Sequence, residues 1–173
     1  MKNFITFLSF FLLVFHLQAQ ENITYQKPPN EILALVDAPF APSVLMDEKG
    51  TVAVLLFREN FKSIDEISEK ELRIAGLRIN PATNSATGQT FVIDIQLKKI
   101  EENKIIKVGN LPAKVRLASF SWSPDQNMMA FTNTTETGVE LWVLNLKTAT
   151  AQKLTNATLN NNLGRSFTWF KDS

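Results

Sequence analysis

Phe120-Ser121-Trp122-Ser123-Pro124-Asp125-Gln126-Asn127-Met128-Met129-Ala130-Phe131-Thr132-Asn133, followed by Val139-Glu140-Leu141-Trp142-Val143-Leu144-Asn145-Leu146, is the stretch on which the fold turns. Leu117 to Trp122 reads as a strand, and Pro124 then supplies the fixed φ that suits the second position of a turn, with Asp125 and Asn127 able to close it by local side-chain hydrogen bonds. Residues 128–133 form the returning strand, and residues 135–138 turn the chain again. In residues 139–146, Leu141, Val143 and Asn145 alternate with Trp142, Leu144 and Leu146, the period of a pleated strand. Gln152-Lys153-Leu154-Thr155 is a short polar fourth strand.

Four antiparallel strands in about forty residues is the size of one β-propeller blade. The unit repeats: Phe167-Thr168-Trp169-Phe170-Lys171-Asp172 matches the residues from Phe120 to Asp125 at an offset of 47. A weaker copy lies upstream, in Pro42-Ser43-Val44-Leu45-Met46-Asp47-Glu48-Lys49-Gly50, with residues 51–57 as its second strand. Asp47 and Asp125 are 78 residues apart, so the first unit carries an insertion. Ser63 and Glu66 have the spacing of a capping box and predict a short helix within it. Residues 71–80, closed by Pro81, then read as the third strand and residues 91–98 as the fourth. The fold expected is all-β: the N-terminal blades of an incomplete β-propeller, preceded by a signal peptide and a short helix. Its divisions are 1–20 (signal), 21–41 (linker with helix), 42–116 (first blade with insertion), 117–158 (second blade) and 159–173 (start of a third). Because a propeller is stable as a ring of mutually packed sheets, the reading expects a longer protein of which these blades are the beginning.

The first twenty residues divide into Lys2, an apolar run over residues 4–17, and Ala19-Gln20 before Glu21, the three parts of an export signal too short to cross a bilayer comfortably. Cleavage is expected after Ala19 or Gln20, which places the protein in a periplasm or outside the cell. The leader removes one of eighteen basic residues and leaves seventeen of each sign, a neutral chain without the basic footprint that nucleic acid or acidic lipid requires. With no cysteine, the exported chain depends on packing alone. Gln26-Lys27-Pro28-Pro29-Asn30 reads as an extended linker, with Asn30 capping a helix over residues 31–36 that Asp37 and Pro39 end.

No catalytic, cofactor-binding or metal-binding residue emerges. The one histidine, His16, lies in the leader, so Ser-His-Asp and Cys-His catalysis and the usual zinc ligand sets are without their parts. None of the six glycines belongs to a G-x-S-x-G elbow or a phosphate loop. The adjacent carboxylates Asp47-Glu48, Asp65-Glu66 and Glu101-Glu102 are expected at solvated turns, and Asn133-Thr134-Thr135-Glu136 and Asn160-Asn161-Asn162 lack the spacing of a calcium loop. Trp122, Trp142 and Trp169 are expected to pack between sheets. Asn22-Ile23-Thr24, Asn133-Thr134-Thr135 and Asn156-Ala157-Thr158 match the glycosylation pattern but receive no function.

Trp122-Ser123-Pro124-Asp125, with Met129-Ala130-Phe131-Thr132 and Leu141-Trp142-Val143-Leu144, resembles the repeat shared by prolyl oligopeptidase-like peptidases and Tol-system periplasmic propellers. Three more stretches narrow the likeness: residues 25–39, residues 71–81, and Phe131 to Thr135 running into Gly138-Val139-Glu140-Leu141-Trp142. Together they resemble the N-terminal region of secreted bacterial members of the prolyl oligopeptidase family, in the glutamyl endopeptidase-like or acylaminoacyl peptidase-like branch. The resemblance departs at Gln126-Asn127, where those relatives usually show Gly-Lys; this is expected to affect the turn and not the assignment. The resemblance implies a two-part serine peptidase: a propeller that restricts access to a chamber, and an α/β-hydrolase domain with the Ser, Asp and His, none of which has a counterpart here. The peptide substrate would therefore be engaged through a catalytic domain outside this sequence. The alternatives are a Tol-type propeller that binds proteins without catalysis and, more weakly, a standalone surface-binding module.

Overall fold

The computed structural model describes residues 26–171, so the leader, His16 and Asn22 lie outside the described residues, as do Asp172 and Ser173. The chain divides into two compact units, residues 1–38 and 39–173. In the first, α1 spans Asn30–Val36. Its cap corrects the expectation at Asn30: Pro29 holds the N-cap position, its carbonyl accepting from the Ile32 and Leu33 N–H groups, and Asn30 is the first helical residue. The proline's φ of −51° and ψ of 148° already turn the chain into the helix, so no side-chain cap forms.

The second unit is mostly β-sheet. β1 (Ser43–Met46) and β2 (Val52–Arg58) form a hairpin. α2 (Ile64–Ser68) follows, with the capping box in place: the Ser63 hydroxyl accepts from the Glu66 N–H, and the Glu66 carboxylate accepts from the Ser63 N–H. β3 (Leu72–Ile74), β4 (Leu77–Asn80) and β5 (Ser85–Ala86) make a separate three-stranded sheet. β6 (Val92–Lys99) returns to pair with β2, and β7 (Lys104–Lys107) pairs with β6. β8 (Leu117–Trp122), β9 (Met128–Thr134), β10 (Val139–Asn145) and β11 (Thr150–Lys153) then pair in succession.

The first of the repeated stretches, residues 42–116, thus differs from its sequence reading. Residues 71–80 are two strands of a hairpin, not one: Ala75 and Gly76 at its tip have φ of 48° and 85°. Two successive positive φ values give the tight reversal whose twist matches paired strands. This hairpin belongs to the insertion. The third strand is β6, where residues 91–98 had been expected as the fourth, and the fourth is β7, which the sequence reading missed.

What results is two antiparallel sets, β1-β2-β6-β7 and β8-β9-β10-β11, formally one eight-stranded sheet because Val92 pairs with Leu117. The sets share one core. Val54, Leu56, Ile95 and Leu97 from the first pack in the same cluster as Leu117, Met129, Phe131 and Leu144 from the second, and each is at least 97% removed from solvent. Trp122 and Trp142 pack against this core half-buried, as expected; Trp169 does not join it and instead hydrogen-bonds the Ser121 carbonyl through its indole N–H at 3.3 Å.

Candidate functional site

Strand direction sorts the connections into two ends. At one end lie the tight turns after β1, β6, β8 and β10, and at the other the long connections of residues 59–91, 108–116 and 154–171 together with the β9–β10 turn. The tight-turn end is built from local hydrogen bonds. Asp47 accepts from the Thr51 and Val52 N–H groups and the Thr51 hydroxyl; burial alone would raise its pKa, but the bonds from Val52 and Thr51 outweigh that and lower it. Asp125 accepts from the Asn127 side chain at 2.6 Å and the Ser123 hydroxyl at 2.6 Å, which bring its pKa to about 2. Gln126 beside it has φ of 58°, a backbone region that glycine occupies without strain. These two aspartates do the same structural work in the two sets, and all of their oxygen contacts are to turn donors.

The opposite end carries the candidate site, because long connections placed by a rigid sheet are where binding groups collect. Two side chains organise it. Arg116, just before β8, lies with its guanidinium carbon 4.5 Å from the centre of the Phe91 ring and forms ion pairs with Glu69 at 3.3 Å and Glu66 at 3.5 Å. Its backbone N–H donates to Asn133 Oδ1 at 3.0 Å. One arginine therefore ties α2 and its following turn to the start of β8. Glu71 completes the insertion from the other side: bonds from the Thr87 hydroxyl and Arg73 lower its pKa.

The second organiser is Glu140 on β10. Its Oε2 accepts from the Trp142 indole N–H at 2.8 Å and from Asn133 Nδ2 at 3.3 Å, while Oε1 faces Lys153 Nζ at 3.3 Å. Desolvation would raise its pKa, but these three donors outweigh it and lower the value, so the carboxylate stays ionised at neutral pH. It borders a cleft of about 530 Å³ between residues 111–114, the β9–β10 turn and the Trp142 face, with Lys114 and Glu136 paired at 3.2 Å across its rim. Such a cleft offers apolar walls and charged edges. No histidine or cysteine occurs among the described residues, and the Glu140 carboxylate, held ionised, is poorly suited to donate a proton. The cleft's apolar walls and charged rim are features of a binding surface.

Of the residues singled out in the sequence, Asn133, Thr135, Glu136 and Trp142 lie at the Glu140 cleft and Glu66 pairs with Arg116, whereas the others fall elsewhere. Asp65 and Glu66 occupy the first turn of α2, and Glu101 and Glu102 the β6–β7 turn, where Glu102 pairs with Lys99 at 3.0 Å. Among the described residues, no three histidine, cysteine, aspartate or glutamate side chains form a metal-binding group. Asn133 is 2% exposed and committed to Arg116 and Glu140, so it is no acceptor for glycan in the folded protein. Thr135 accepts from the Gly138 N–H, and Asn160 from the Asn162 N–H, which is turn chemistry. Sequence reasoning passed over Glu140 and Arg116. A signal for Glu140 was present, an acidic residue among Val139, Leu141, Trp142, Val143 and Leu144; nothing local marks Arg116, whose partners lie 47 and 50 residues away in the sequence.

No family model matches the chain. Two curated plant proteins do: the probable chloroplastic glutamyl endopeptidases of Oryza sativa subsp. japonica, 24% identical over 161 residues, and of Arabidopsis thaliana, 23% identical over 160 residues. Each alignment covers 86% of this chain, and the chain spans 17% of the length of either relative. A mostly β chain is thus distantly similar, along most of its length, to a small part of two peptidases.

Proposed function

We propose that this chain is the N-terminal propeller portion of a secreted serine peptidase of the prolyl oligopeptidase type, acting as scaffold and gate while residues outside this sequence cleave the peptide bond. The observation that supports it most is the tandem arrangement of two four-stranded antiparallel sets, each paired in chain order and packed on a common core, the relation of consecutive propeller blades. The distant likeness to two glutamyl endopeptidases adds the reaction class, with peptides cleaved after glutamate as the first substrates to try. The connector end, with its insertion latched by Arg116 and its cleft around Glu140, is the face on which access would be controlled.

The test is made on the full reading frame of the gene. It should encode a G-x-S-x-G serine followed by a histidine, and the exported product should react with a fluorophosphonate and hydrolyse a peptide at glutamate. A frame that ends after further blades, with a product inert to fluorophosphonate, favours the Tol-type protein-binding reading instead.

A further inference from the structure

The insertion between β2 and β6 is held in place by polar groups. Among the described residues, none from 59 to 91 belongs to the shared apolar core, and the residues it buries are Asn80, Thr83 and Ser85. It is nevertheless one body: Glu69, just after α2, accepts from Asn80 Nδ2 on β4 at 2.7 Å, and Glu71 accepts from the Thr87 hydroxyl at 2.6 Å, which ties the helix to the small sheet. At its β5 edge this body is fastened through the backbone. The Asn161 N–H donates to the Asn84 carbonyl at 2.9 Å, and the Ala86 N–H donates to the Asn161 carbonyl at 3.4 Å. On the α2 side the fastening is a single guanidinium. Arg116 Nη1 and Nη2 both reach the same oxygen of Glu69 at 3.3 Å, and Nη2 lies 3.5 Å from Glu66. Those contacts are longer than the about 2.7–2.9 Å of a good charge-assisted bond. Nε of the same side chain is buried with no hydrogen-bond partner among the described residues, so the water it lost is not replaced.

We propose that the insertion is a flap, hinged along its β5 edge and latched on the α2 side by the ion pairs of Arg116. An element with few buried apolar contacts opens at a lower free-energy cost than the core beside it. The latch favours the closed state only modestly, because two long contacts to one oxygen are set against an unmet buried donor. Gly88, with φ of 77° and open space where a side chain would stand, lies in the segment that leaves the flap and lets that segment swing. Moving the α2 side outward separates Arg116 from its carboxylates while the capping box, the Glu69–Asn80 bond and the β5 pairing stay intact. It uncovers the guanidinium and the Phe91 ring on which the guanidinium lies. The flap stands at the connector end, so it gives the gate proposed above a moving part; its purpose rests on that reading, and its motion does not.

The experiment measures the distance between spin labels on the full-length gene product, one at Ile64→Cys on α2 and one at Glu101→Cys in the β6–β7 turn, both exposed positions. The wild-type latch should give a main short distance and a minor longer one. Arg116→Gln should raise the ratio of long to short about tenfold, as expected for the loss of one charge-assisted fastening. Glu66→Gln with Glu69→Gln should do the same, and it keeps side-chain oxygens for the capping box and for Asn80, so it carries the test if the arginine variant does not fold. Combining all three substitutions should add nothing further, because they remove one latch. Raising the salt from 50 mM to 0.5 M should favour the long distance with the latch present and leave the Arg116→Gln protein unchanged. A single fixed distance in every protein overturns the flap. A shift with Arg116→Gln that the paired glutamine variant does not reproduce, or that salt does not imitate in the wild type, overturns the ionic latch. The peptidase reading is tested separately: a product inert to fluorophosphonate with a movable flap loses only that reading, and a reactive product with a fixed distance loses only this inference.

Discussion

Asp125 shows how a single carboxylate can hold a turn by its charge. Its two oxygens accept from Asn127 and Ser123, and those bonds are strongest when it is ionised, so its pKa drops from 3.8 to about 2. A carboxyl with a depressed folded pKa contributes stability above its unfolded value and loses it as pH falls through the folded one. The turn therefore stabilises the protein fully above about pH 4 and progressively less between 3.8 and about 2. Asp125→Asn should lower the melting temperature at neutral pH, and the gap to wild type should narrow through that acid window; a constant gap would mean that the charge does not matter. Asp47, the equivalent aspartate in the first set, is depressed for a related reason, which is why the comparison must be with the single variant and not with an absolute acid limit.

Among the elements, the β9–β10 turn is the one with least room. A side chain at Gly138 would collide with the Ala157 carbonyl, because the chain after β11 folds back across the turn, where the Leu159 N–H donates to the Val139 carbonyl. Gly138→Ala must push one of these backbones aside and should cost about 2 kcal/mol, read as a shifted denaturant midpoint with an unchanged slope. Glycine there is needed for space rather than for φ. The insertion teaches a different lesson about legibility. Leu72 and Ile74 would lie on the opposite face from Leu77 and Ile79 in a continuous strand, whereas the Ala75-Gly76 turn brings them to one face as the pairs Leu72 with Ile79 and Ile74 with Leu77. That phase flip was visible in the residues, and it marks a hairpin. The capping box at Ser63 and Glu66 was read correctly because both partners sit within one helical turn.

At the scale of the whole molecule, the two four-stranded sets stand or fall together because neither has a core of its own. Phe131 on β9 is fully buried in the cluster that also holds Ile95 on β6 and Val54 on β2. Phe131→Ala should destabilise the protein by about 3–5 kcal/mol. Hydrogen exchange should quicken in β2 and β6 as much as in β9 and β10. If the first set kept its protection while the second lost it, the shared core would be an insufficient account of stability. The insertion should respond less, since Ile64, Ile67 and Ile74 are more than half exposed and contribute little to that cluster.

Much of the second set was readable residue by residue: the alternation in residues 139–146 and the Ser123-Pro124-Asp125 turn. These depend on contacts a few positions apart, which short-range chemistry dictates. Which strand became third in the first set, which carboxylates met Arg116, and which donors surrounded Glu140 were settled only in the folded chain. An apolar strand face is compatible with several partners, and the choice among them is made by the volume and complementarity of a core assembled from residues as distant as Val54 and Leu144.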